Sequence, residues 1–72
     1  MNASDNTVQK VAKKLRTIRR NLDFTQAQVA DKAKMTVQYY SKIERGVVKP
    51  SIEAYERIAR ALKVSASDIF PF

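Results

Sequence analysis

Apolar residues recur along the chain at intervals of three and four, and the pattern restarts after each polar break. Val8, Val11, Leu15, Ile18 and Leu22 form the first stripe, which predicts a helix with one apolar face. Its start is open, because Ser4, Asp5, Asn6 and Thr7 all offer N-cap oxygens, and residues 1–6 read as a flexible tail. "NLDFTQ" interrupts the stripe. Asp23 disfavours continuation, Thr25 caps the next helix, and Gln28 completes a T-x-x-Q capping box. The second helix is expected from about Gln26 to Ala33. Its inner face of Val29, Ala30 and Ala33 is small enough for a crossing helix to come close.

"KAKMT" is a turn, and Thr36 caps a third helix from Val37 to about Arg45. Gly46, the chain's one glycine, supplies the positive φ with which helices often end. "VVKPS" is a short extended link, since Pro50 biases Lys49 away from helix. Ser51 caps a fourth helix with Ile52, Tyr55, Ile58, Ala59 and Leu62 on its apolar face. A last turn takes Ser65 as its cap and Asp68 as the box partner, and Pro71 stops it. With no strand signal or internal repeat, the fold class is all-α.

The third helix has two distinct faces. At about 100° per residue, with Val37 at zero, Ser41, Arg45, Gln38 and Lys42 fall between about 40° and 140°. Tyr39, Ile43 and Tyr40 fall between about 200° and 300°. The paired tyrosines are therefore mainly packing residues. Tyr40 is expected in the core, and Tyr39 half exposed with its hydroxyl free for a phosphate or for solvent. The opposite face, Val37, Gln38, Ser41 and Lys42, is either a solvated surface or a reading surface.

Composition decides what such a surface could meet. The 72 residues suffice for one small domain. Cysteine and histidine are both absent, so a disulfide framework, a Cys/His metal site, a thiol nucleophile and a histidine base are excluded. One glycine cannot build a phosphate loop. An enzyme is disfavoured and no cofactor or metal is expected. Lys and Arg total 14 against 7 acids, with a net +4 in residues 1–24, +2 in 25–46 and +1 in 47–72. That balance favours polyanions. No apolar run approaches the ~20 residues of a membrane span, and the N-terminus lacks a signal-peptide layout, so a cytoplasmic chain is expected. Lys10, Lys34, Arg45 and Lys49 are candidates for phosphate contacts, although any one lysine can equally be part of a solvated face.

Two short capped helices joined by a tight turn, the second with an exposed polar face, describe a helix-turn-helix. Here the sequence resembles the phage-repressor and Cro-like (Xre-type) helix-turn-helix proteins. The matching features are "TQ" opening the second helix, Ala30, the "KIERG" close of the third, "KPS", and the "ALKVS-SDIF" ending. The resemblance covers about residues 8–70. It implies a compact five-helix, lambda-repressor-like bundle that binds double-stranded DNA. It places Gln26 on a phosphate and as a brace of the third helix, Val37, Gln38 and Lys42 on base edges with Ser41 a weaker candidate, and Thr36 at a cap beside the DNA backbone. It also implies a partly buried ion pair between Arg19 and Glu44. Two positions depart from the family. Lys34 stands where a turn glycine is usual, at about 1 kcal/mol in a left-handed conformation. Val37 replaces a polar reader and suits a thymine methyl, whereas Gln38 suits adenine and Lys42 guanine.

The expectation is a sequence-specific regulator, a repressor, acting as a homodimer. One rival is a protein-interaction module such as an antitoxin with a protein partner. Another is nonspecific nucleic-acid binding, against which the lack of an RNP-type pattern argues for RNA. Ile69 matches a core position of the family, while Phe70 and Phe72, joined by Val47 and Val48, are candidates for the dimer interface. Alternatively both rings fold back over the first and fourth helices.

Overall fold

The structure, a computed structural model, describes residues 3–70, with side chains from residue 7 onward. Five helices follow in order: α1 (Ala3–Asn21), α2 (Gln26–Lys32), α3 (Val37–Arg45), α4 (Ile52–Leu62) and α5 (Ala66–Ile69). Positions 3–6, expected as a tail, are helical. They contain neither glycine nor proline, and extending an existing helix adds one hydrogen bond per residue fixed.

The expected caps form. The Thr25 hydroxyl accepts from the Gln28 N–H at 3.1 Å, and the Gln28 side chain accepts from the Thr25 N–H at 2.8 Å. Thr36 accepts from the Tyr39 N–H and Ser51 from the Ala54 N–H, each at 3.1 Å. Gly46 ends α3 at φ 71. A Cβ there would lie 2.7 Å from the Gln9 side chain, so the position is constrained by conformation and by space. Lys34 does adopt the left-handed conformation, at φ 58. Asp23 and Lys63 adopt it too, at φ 59 and 58.

α1 packs on α3, α2 lies against both α3 and α4, and α5 closes the bundle against α4 and α1. Val11, Leu15, Val29, Tyr40, Ile43, Ile58, Leu62 and Ile69 meet in one core. Tyr40 is fully buried and Tyr39 is at the margin of exposure, as their positions on the wheel require. Ile52 departs from its expected place: it is 69% exposed. It is the first residue of α4, and the buried face begins only with Ala54 and Tyr55.

Phe70 folds back over α4, the alternative to an interface position. Its ring meets Tyr55 edge-on, with centroids 5.2 Å apart and planes at 72°, and it packs against the core. Val48 likewise packs on the core, whereas Val47 is exposed. Phe72 lies outside the described residues.

Candidate nucleic-acid interface

The N-terminus of α2 and the exposed face of α3 bring six side chains around one shallow concavity of about 390 Å³: Gln26, Val37, Gln38, Ser41, Lys42 and Arg45. Four are the expected base readers, and Gln26 and Arg45 are two of the expected phosphate contacts. Gln38 and Lys42 are exposed, and Val37 offers a small apolar contact beside them. The surface combines an amide that both donates and accepts, a hydroxyl, two cations and a methyl pair. Base edges in a major groove call for that mixture. The unpaired N–H groups at the start of α3 add positive potential at the same end.

The opposite face of α3 is tied down by Glu44, the one buried charged side chain among the described residues, at 1% exposure. Arg19 donates from Nε to Glu44 Oε2 at 2.6 Å and from Nη2 to Oε1 at 3.0 Å. Gln26 donates to Glu44 Oε1 at 3.0 Å, so it braces α3 as well as lining the concavity. Burial pushes the Glu44 carboxyl up, but hydrogen bonds from Arg19 and Gln26, with the Tyr40 hydroxyl close by, outweigh it and hold the pKa below the ordinary value. The Glu44 bond raises Arg19 in turn. Burial drives the Tyr40 hydroxyl well above its usual range, with Glu44 adding to the shift. That hydroxyl has no partner with ordinary hydrogen-bond geometry among the described residues, and its link to Glu44 is one of proximity.

Two ties escape sequence reading. Arg16 Nη1 donates to the Glu44 carbonyl oxygen, and Gln9 Nε2 donates to the Gly46 carbonyl oxygen at 2.9 Å. Both close the C-terminal end of α3 against α1. The only signal for Arg16 is its place three residues before Arg19, on the same helical face.

The other expected phosphate contacts are dispersed. Thr36 spends its hydroxyl as a cap acceptor, and Tyr39 does not line the concavity. Lys49 borders a separate hollow with Val8, Gln9 and Gly46. Lys34 lies with Lys32, Arg57 and Arg60, and Lys10 is exposed on α1.

The geometry is that of a DNA-binding helix-turn-helix unit. A helix-turn-helix family model matches residues 15–69. The immunity repressor protein of Bacillus phage phi105 is 36% identical over 59 residues, which are 82% of this chain and 41% of that protein. The restriction-modification controller protein C.Esp1396I superposes with a TM-score of 0.80 at 31% identity, over 85% of this chain and 79% of that one. The clp gene regulator ClgR from Corynebacterium glutamicum gives 0.85 at 25% identity, over 88% and 67%. The chain belongs to the Xre-type helix-turn-helix family. It spans about 40% of the length of the curated relatives it matches. No described helix is long and apolar enough to cross a membrane.

Proposed function

We propose that the protein is a sequence-specific transcriptional repressor that binds a palindromic operator as a homodimer, with α3 in the major groove. The observation that carries this reading is the single concavity gathering Val37, Gln38, Ser41 and Lys42 on the exposed face of α3, while Glu44 anchors the buried side. Val37, Gln38 and Lys42 read bases, with Ser41 contributing from the same face. Gln26 and Arg45 hold phosphates at the rim, with Thr36, Lys10 and Lys49 further along the backbone. An immunity repressor and a restriction-modification controller among the relatives support a regulatory role.

A dimer follows from the arithmetic of recognition. One α3 spans a few base pairs, and two related by a two-fold axis read half-sites about 34 Å apart. The surface that supports it is an apolar groove of about 310 Å³, bordered by the exposed Ile52 with Tyr55, Ala59, Ile69 and Phe70. Val47 and Val48 stand before it in sequence. The protein would act in the cytoplasm, on the nucleoid.

Selection of bound sites from random duplex DNA tests the reading. It should return an inverted repeat, and Gln38→Ala should relax preference at one base position per half-site at a cost of about 1–3 kcal/mol. A specificity profile that Gln38→Ala leaves unchanged would remove Gln38 from the reading set, and recovery of no common sequence would overturn specific recognition.

A further inference from the structure

Four cations lie together away from the reading concavity. Lys32 at the end of α2, Lys34 in the turn, and Arg57 and Arg60 on α4 line a hollow of about 260 Å³. It shares no residue with the concavity around Gln26 and α3. Like charges brought into one hollow repel, and no carboxylate lines this one. Among the described residues one acid pairs with the set: Glu56, 3.5 Å from Arg60, in an exposed i,i+4 pair that offsets little. Lys32 sits over the Phe24 ring, 5.3 Å from its centroid, a cation–π contact that brings no counter-charge to the set.

Arg57 adds an observation of its own: its Nε is buried and has no hydrogen-bond partner among the described residues. A buried guanidinium N–H without an acceptor is a costly arrangement, and a small movement of the Arg57 side chain toward a ligand oxygen in the hollow would relieve it. Arginine forks suit a tetrahedral oxyanion, and the two lysines add point charges around it.

We propose that Lys32, Lys34, Arg57 and Arg60 form an oxyanion site that takes a phosphate group, separate from the base-reading face. The phosphate belongs either to a soluble phosphorylated compound or to a DNA backbone segment, and two experimental arms distinguish the sources.

In the first arm, the full chain is titrated with inorganic phosphate against chloride at equal ionic strength. Amide resonances of residues 32–35 and 57–60 and the thermal midpoint are followed. Saturable shifts at those amides and a raised midpoint are expected, and the exposed double variant Lys34→Gln with Arg60→Gln should lose both while remaining helical. Arg57→Lys, which keeps charge but lacks Nε, should bind several-fold more weakly. In the second arm, the slope of log K against log salt is compared for wild type and the double variant on duplex DNA. A slope reduced by about two units assigns the site to DNA backbone, with or without a phosphate response in the first arm. A phosphate response with an unchanged slope assigns it to a soluble compound. Phosphate no better than chloride together with an unchanged slope overturns the proposal. The first arm contains no DNA, so its result is independent of operator reading.

Discussion

Arg19 of α1 and Glu44 of α3 meet at two points, 2.6 and 3.0 Å, with the carboxylate almost wholly removed from solvent. The pair joins two helices far apart in sequence, and it sits directly behind the helix assigned to base reading. Removing one partner leaves the other charge buried without its counter-ion. Arg19 keeps some access to solvent, so Glu44→Ala should cost about 3 kcal/mol or somewhat less, still more than an exposed glutamate change. Arg19→Ala alone should also be costly, and the double variant should cost much less than the sum, as urea unfolding of the four proteins will reveal. Additive effects would mean that the pair carries no coupling.

The lowered Glu44 pKa makes stability depend on pH in a defined direction. In the unfolded chain the group titrates near an ordinary value of about 4.3. The contribution is complete above that value and is lost as pH falls through the lower folded value. Wild type should lose stability steadily below about pH 4. Glu44→Gln should start less stable near neutrality and fall less over the same acidic range. Chemical unfolding at stepped pH gives the comparison, and parallel curves for the two proteins would contradict it.

Lys63 closes α4 in the left-handed region at φ 58 and ψ 43, and the Val64 N–H donates back to the Ala59 carbonyl at 3.0 Å. This is the helix-ending geometry that glycine fills without steric cost. Lys63→Gly should stabilise the fold by up to about 1 kcal/mol, which for a domain of this size raises the melting temperature by about 4–8 °C. A lower melting temperature would mean that the lysine side chain contributes packing that outweighs the backbone strain.

Ile52→Glu should separate the proposed dimer without unfolding the monomer, because the side chain is exposed and borders the apolar groove beside Phe70. Sedimentation should show monomers at concentrations where wild type is dimeric, with helical content retained, and operator affinity should fall accordingly. An unchanged dimer would move the interface elsewhere.

Much of this architecture is written locally. Thr25 with Gln28, Thr36 and Ser51 mark helix starts because a cap is made within three residues of itself. The stripe through Val11 and Leu15 and the burial of Tyr40 follow from helical period alone. The contacts that organise the site are not local. Arg16 reaching the Glu44 carbonyl spans 28 residues, and no spacing rule selects it from the other basic residues of α1. The Arg19–Glu44 pair was legible only through family resemblance. Ile52 misleads because a helix's first apolar residue has the right period before the helix has met the core. Lys34 in its left-handed turn was legible only through the family's glycine, and Asp23 and Lys63 are invisible to a reading that looks for glycine.

The buried residues of α3 are Tyr40, Ile43 and Glu44, all beyond its first turn. The helix is thus anchored along its buried side, and Val37 and Gln38 project from the end away from Glu44. From Glu44 to Val37 the lever arm is about 10 Å, at about 1.5 Å per residue. A tilt of about 5° at the root would swing the tip by about 1 Å, more than the whole distance window of a good hydrogen bond. On the proposed reading, the choice of base is then set in part by residues behind the helix: loosening Arg16, Arg19 or Gln26 would mis-aim Gln38 as effectively as replacing it.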